Sequence, residues 1–179
     1  MLVLSCESPL VESLLHLVAC PLLLGKISLH GLTLIEEQRP VPGRNQVLIK
    51  VRACSLNYRD LAILYGTGTL TPKAGLIPLS DGAGEVVATG DSVSLFKKGD
   101  RVVGTFFPHW FGGARDAAAG RGTYGTQADG WLTSYKVVDE ESLVSVPDYL
   151  SWEQAATLPS PSALFRNWLQ RAELQLSNG

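Results

Sequence analysis

Between Gln46 and Ala53 apolar and polar side chains alternate: Val47, Ile49, Val51 and Ala53 fall on one face, Leu48, Lys50 and Arg52 on the other. A period of two sustained over the run predicts a half-buried strand, because successive side chains of an extended chain point to opposite faces. Further short β-rich runs follow at Gly84–Thr89, Arg101–Phe106, Leu132–Val138 and Leu143–Val146. Glycine and proline punctuate them. Pro40, Pro42 and Gly43 turn the chain into the first strand, and Lys97-Lys98-Gly99-Asp100 makes a tight turn, since glycine tolerates positive φ at no steric cost. Several short strands parted by such turns predict a small β barrel or sandwich.

Helical signals are fewer. Asn57–Tyr65 predicts one or two helical turns after the first strong strand. Ser151-Trp152-Glu153-Gln154 has the spacing of a capping box, in which Ser151 accepts from the Gln154 amide and the Gln154 side chain reaches back. Leu150 and Ala155 flank it as a weak staple. Pro159 and Pro161 are expected to stop that helix, lacking an amide hydrogen to donate. Ser162–Leu176 then spaces Phe165, Trp168, Leu169, Ala172 and Leu176 at helical intervals, a stripe that wants a partner surface. The fold class expected is mainly β with a few helices.

Composition narrows the function. Lysine and arginine number 15 against 17 acidic residues, a formal charge of −2, and no basic stripe is evident. A surface that tracks phosphates needs a basic excess, so nucleic acid is not expected as a partner. Residues 1–25 carry no Lys or Arg and include Glu7 and Glu12, unlike a secretory signal with its basic start. The uncharged stretch Ser13–Gly25 contains Pro21 and is too short for a membrane span, which takes about 20 residues. This segment reads as an atypical, poorly ordered leader outside the fold. Cys6, Cys20 and Cys54 have neither metal-finger nor redox spacing, and their odd number does not suit a disulfide framework. A reducing compartment, the cytoplasm, is expected.

Most familiar chemistry is missing from the sequence. There is no P-loop, nucleophile elbow or zinc-protease helix, and the only histidines are His16, His30 and His109. His109, in a Gly-rich stretch beside Trp110, could act as a general acid or base or could be an ordinary solvated loop residue. Gly120-Arg121-Gly122-Thr123-Tyr124-Gly125 spells a literal G-x-G-x-x-G. A dinucleotide loop must lie between a strand and a helix; here no strand pattern precedes it and the strand-like Trp131–Val138 soon follows. Pro108–Gly130 is expected to be a long surface loop.

One ordered set of motifs remains. Pro40-Val41-Pro42 precedes Gln46–Val51; then come Ser55-Leu56-Asn57-Tyr58-Arg59-Asp60-Leu61, Asp81-Gly82-Ala83-Gly84-Glu85-Val86-Val87, Lys98-Gly99-Asp100-Arg101-Val102, Ser134-Tyr135 and Ala155-Ala156-Thr157-Leu158-Pro159. From about Leu32 to Pro159 the chain resembles the GroES-like catalytic domain of the medium-chain dehydrogenase/reductase family, most of all its zinc-independent quinone-reductase-like and alcohol-dehydrogenase-like members. The resemblance implies a partly open β barrel over residues 26–159, followed by a divergent helical tail at 160–179. It implies an oxidoreductase that uses NADPH to reduce a carbonyl or quinone, or to oxidise an alcohol, acting on a small molecule. Asn57, Tyr58 and Arg59 are the implied catalytic residues. Asn57 would donate its amide to a substrate oxygen or to the cofactor, and Tyr58 would pack beside the nicotinamide or supply a phenol proton. Asp60 would lie near the cofactor, shaping the cleft and locking Arg59; it could equally cap the following turn, and Tyr58 could be core.

The resemblance also implies that no zinc is bound. In the zinc branch a Cys stands where this chain has Asn57, a His-Glu pair where it has Ser80-Asp81, and a Cys where it has Ser160. Zinc takes about four tetrahedral donors, mostly thiolate or imidazole, and Asn and Ser replace them poorly. Cys54 is expected to be a buried strand cysteine. Family members continue into a Rossmann domain carrying the phosphate-binding glycines, whereas this chain stops at Gly179. The expectation is therefore a truncated portion, inactive alone, with exposed apolar surface prone to self-association or homo-oligomer formation. A non-catalytic β-barrel interaction module, with the Gly-rich loop as its contact arm, stays open as the alternative.

Overall fold

The computed structural model describes residues 3–5, 14–19, 32–67, 72–110 and 122–163, the first two stretches by backbone alone. In chain order the elements are β1 (Val3–Ser5), β2 (Leu14–Ala19), β3 (Leu32–Glu37), β4 (Gln46–Ser55), α1 (Tyr58–Leu64), β5 (Asp81–Thr89), β6 (Arg101–Gly104), β7 (Tyr135–Asp139), β8 (Leu143–Ser145) and α2 (Trp152–Ala156). β1 and β2 thus fall within the predicted leader, residues 1–25. Most of the predicted 162–176 helix, with Trp168, lies outside the described residues.

The strand predicted from alternation becomes the axis of the sheet. Along one edge of β4 runs β5, antiparallel from Val47↔Thr89 to Ser55↔Asp81. The other edge is shared: β7 pairs with Gln46–Lys50 and β1 with Ala53–Ser55. Beyond β5 come β6 and then β8, while β2 and β3 form a separate two-stranded ribbon. Every one of these pairings is antiparallel. β7 and β8 stand at opposite margins of the main sheet, yet only the 3-10 turn Glu140–Ser142 separates them in sequence. So short a connection forces the sheet to curl, and the result is a partly open barrel. Its interior holds Val47, Ile49, Val51, Val86, Val102, Val138, Leu143 and the fully buried Trp131.

Trp131 explains two glycines. A Cβ on Gly82 would lie 2.6 Å from the Trp131 side chain, and one on Gly104 only 2.1 Å from its Cζ2. The indole therefore lies against bare backbone of both β5 and β6. The predicted turn before β6 forms as expected: Gly99 has φ +94°, the Asp100 amide donates to the Lys97 carbonyl at 3.1 Å, and the Lys97 amide donates to the Asp100 carboxylate at 2.9 Å.

Three departures from the sequence expectation have a visible pairing or packing reason. The sixth strand ends at Gly104, because Phe106, Phe107 and Trp110 leave the sheet to stack edge to face. The seventh starts at Tyr135 rather than Leu132, because Trp131 and Leu132 donate their amides to the carbonyls of Leu79 and Pro78 instead of joining β4. Pro108–Gly130 is not surface loop throughout: among its described residues Thr123, Tyr124 and Thr126 are buried, and the Tyr124 ring meets Trp131 edge to face at 5.8 Å.

The capping box at Ser151 forms in both directions. The Gln154 amide donates to Ser151 Oγ at 3.2 Å, and the Ser151 amide donates to Gln154 Oε1 at 2.9 Å. α2 ends at Ala156, ahead of Pro159. Pro159 then opens a new helical turn, described over 159–163. A first helical turn has no intrahelical use for its amide hydrogens, so proline is tolerated there.

Candidate functional site

β4 delivers its last residues to the start of α1, and β5 begins beside them. Ser55 pairs with Asp81 across the two strands, so Asn57, two residues on, comes within reach of the Asp81 side chain. Asn57 Nδ2 donates to Asp81 Oδ2 at 3.0 Å. The turn at 159–163 closes the group from a third direction: the Ser160 amide donates to Asp81 Oδ2 at 3.1 Å and Ser160 Oγ donates to Asp81 Oδ1 at 2.9 Å. Ser80 Oγ lies 3.5 Å from Ser160 Oγ. Asp81 is fully buried, and three donors satisfy its carboxylate. Backbone strain accompanies the cluster, for Leu79 immediately before it has φ 71°, which a bulky L residue adopts only under constraint.

The four positions at which the zinc branch of the resembled family carries its ligands are thus brought together, holding Asn, Ser, Asp and Ser. Only Asp81 offers a group of the kind zinc prefers, and its oxygens are already taken by neutral donors. This donor set does not fit zinc.

The other three predicted residues part company. Tyr58 is 84% exposed, so the core role is excluded and the ring is available to a ligand. Arg59 turns inward to the 123–126 turn. It donates to the Tyr124 carbonyl at 2.9 Å, to Thr123 Oγ1 at 3.1 Å and to Thr126 Oγ1, and its guanidinium lies 4.9 Å from the Phe106 ring centre. Burial lowers its pKa, against the opposing pull of Asp60 and Asp81. Arg59 is therefore bound chiefly by the loop, with Asp60 acting on it as a charge. Asp60 is buried; its Oδ2 accepts from the Asn57 amide at 2.7 Å while Oδ1 has no partner among the described residues. Desolvation raises its pKa to about 6, with the Asn57 amide and Arg59 resisting.

Beside the cluster lies an apolar cleft of about 410 Å³, lined by Phe106, Phe107, Trp110, Leu150, Leu158 and Pro159 among others. No charged side chain among the described residues lines it. Phe106 is the ring under Arg59, and Pro159 and Ser162 flank Ser160 in the chain, so the cleft adjoins the Arg59 contact and the turn that carries Ser160.

The G-x-G-x-x-G stretch offers no phosphate cradle in its described part. Gly125, with φ +70°, packs so closely that a Cβ would stand 2.8 Å from the Leu79 backbone. His109 is exposed. Cys54 is a buried strand cysteine, as expected, and its Sγ donates to the Trp131 carbonyl at 2.8 Å. Sequence reasoning missed Lys136 altogether. Its Nζ donates to the carbonyls of Asp129 (2.6 Å) and Gly130 (3.0 Å), and lies 4.5 Å from the centre of the Tyr124 ring and 5.4 Å from that of Trp131. Burial pushes its pKa down to about 8. A signal existed: Lys136 shares the parity of Val138 on the strand, and Val138 is core.

Comparison with known proteins agrees with this architecture. Residues 43–148 match the alcohol dehydrogenase GroES-like domain. A zinc-type alcohol dehydrogenase-like protein of Schizosaccharomyces pombe is 39% identical over 132 residues, 74% of this chain and 38% of that protein. Human quinone oxidoreductase is 33% identical over 122 residues, 68% of this chain and 31% of its own. The solved structure of a thermostable alcohol dehydrogenase from Pyrobaculum aerophilum superposes with a TM-score of 0.66 at 28% identity, covering 82% of this chain and 44% of that one. The chain spans less than half the length of each of these relatives. Its barrel, its ordered motifs and these matches make it a member of the medium-chain dehydrogenase/reductase family of oxidoreductases, represented here by the GroES-like domain.

Proposed function

We propose that this barrel is the substrate side of an NADPH-dependent, zinc-independent oxidoreductase that reduces a carbonyl or quinone, or oxidises an alcohol. The observation that carries the reading is the convergence of Asn57, Asp81 and Ser160 beside an uncharged apolar cleft. Such a cleft suits a small neutral molecule, with the few polar groups at its border fixing orientation. NADPH, when bound, supplies hydride. This chain's own share is to hold the substrate and exclude water. Asn57, its carboxamide held by Asp81, would orient the substrate oxygen, and Tyr58 offers an exposed phenol that can give a proton to the developing oxygen. Arg59 holds the 123–126 turn in place, and Asp60 braces the start of α1.

Among the described residues, Asn57 and Tyr58, with Asp60 behind them, would meet the nicotinamide end of the cofactor. The phosphates would need a glycine loop between strand and helix, which no described residues form. Turnover by the 179-residue chain alone is therefore not expected. No helix among the described residues is long and apolar enough to cross a membrane. A cytoplasmic setting, and self-association through surface the barrel leaves exposed, complete the reading.

The test is a fusion. The purified chain with NADPH and a quinone or an aldehyde should leave NADPH unoxidised, whereas fusion to a nucleotide-binding domain of the family should restore oxidation, weakened by Tyr58→Phe and Asn57→Ala. Tight NADPH binding by the chain alone, or stoichiometric zinc by elemental analysis, would overturn the reading.

A further inference from the structure

We propose that Asp81 is the positioning residue of this site, holding the Asn57 carboxamide and the 159–163 turn in one frame. The proposal rests on the reading of Asn57 as a residue of the reacting cleft. Three elements that are remote in sequence meet on this one carboxylate: the end of β4 leading into α1, the start of β5, and the turn after α2. Asp81 Oδ2 takes two donors, Asn57 Nδ2 and the Ser160 amide, and Oδ1 takes the Ser160 hydroxyl. Because a carboxylate can only accept, it selects the amide face of Asn57: the NH2 end must turn toward β5. A neutral hydroxyl or amide at position 81 could tolerate either face. Full burial of Asp81 keeps water from competing for the same hydrogen bond. The β4–β5 register makes the arrangement rigid, since Ser55 and Asp81 are paired residues of the ladder. Where zinc-binding relatives of the resembled type gather ligands on a cation, this chain gathers donors on an anion.

The experiment follows the Asn57 side-chain amide by NMR in the full 15N-labelled chain, its signals assigned by their disappearance in Asn57→Ala. In the unsubstituted protein those protons should exchange about tenfold more slowly than those of a free asparagine side chain, as a charge-assisted bond requires. Ser160→Ala should leave that protection in place, since it removes only the donor to Oδ1. Asp81→Asn should shift the Asn57 signals and remove the protection. Exchange at the free rate in the unsubstituted protein overturns the proposal, as do unmoved Asn57 signals in a folded Asp81→Asn or loss of protection in Ser160→Ala. Should Asp81→Asn fail to fold, the first and third measurements still decide. A carboxylate that merely seated the 159–163 turn would leave the Asn57 signals unmoved. None of these readouts depends on turnover, so a silent two-domain fusion, which counts against the oxidoreductase reading, is told apart from a failure of the Asp81–Asn57 frame itself.

Discussion

Asp81 and Lys136 are both charges buried in this barrel, yet their surroundings differ in kind. Asp81 has three hydrogen-bond donors, two of them from side chains, and they draw together the opening of α1 and the 159–163 turn. Lys136 has two carbonyls of a single loop and the faces of Tyr124 and Trp131. Asp129 is the nearest opposing charge, but its carboxylate is occupied by Lys73 at 2.6 Å and by the Ile77 amide at 3.1 Å. The lysine therefore carries a desolvation cost that the carbonyls, the ring faces and Asp129 offset only in part, expressed as a pKa pushed down to about 8. One region uses a buried charge to assemble a site from distant segments. The other uses one to stitch a loop onto the core.

Breaking the first region should cost most. Asp81→Leu leaves the Asn57 amide and both Ser160 donors without an acceptor, and about 3–5 kcal/mol of stability should be lost in urea unfolding. Next comes the packing beneath the second region. Gly104→Ala drives a Cβ into the Trp131 indole and should cost about 2–3 kcal/mol, with no change in the pH dependence of unfolding.

Lys136→Met sharpens the contrast through pH. The folded state binds the Lys136 proton less tightly than the unfolded state, whose value is 10.5, so the native protein should gain stability as pH rises from about 8 toward 10. That gain, about 2 kcal/mol, should vanish in the variant. Asp60 reverses the sign. Its carboxyl is raised from 3.8 to about 6 by burial, so the native protein should lose stability as pH rises through that interval. Asp60→Asn should flatten this part of the profile while changing stability at pH 5 by only about 1 kcal/mol. Smallest of all, Tyr58→Phe should leave unfolding within about 0.5 kcal/mol of the parent, because the ring is exposed.

Local signals were readable where one segment decides its own structure. The β4 alternation, the Gly99 turn, the Ser151 capping box and the buried Cys54 all follow from residue type and spacing. Prediction failed where partners came from afar. Leu132 looks like strand but donates to Pro78, and Tyr124 looks like loop but packs on Trp131. In the site, Asn57 and Asp60 were recognisable from the motif around them. The roles were not: Arg59 spends its guanidinium on the 123–126 turn, and Ser160 stood out only as a poor substitute for a metal ligand.

Residue order alone determined the β-rich class, the strand and cap positions and the family, because alternation, turn chemistry and capping are short-range effects. The folded chain alone decided that the sheet curls, that Gly82 and Gly104 yield their space to Trp131, and that Asn57, Asp81 and Ser160 share one carboxylate. Those outcomes depend on which distant groups come within a few ångströms once apolar surface is buried, and hydrogen bonds and packing act only over that distance.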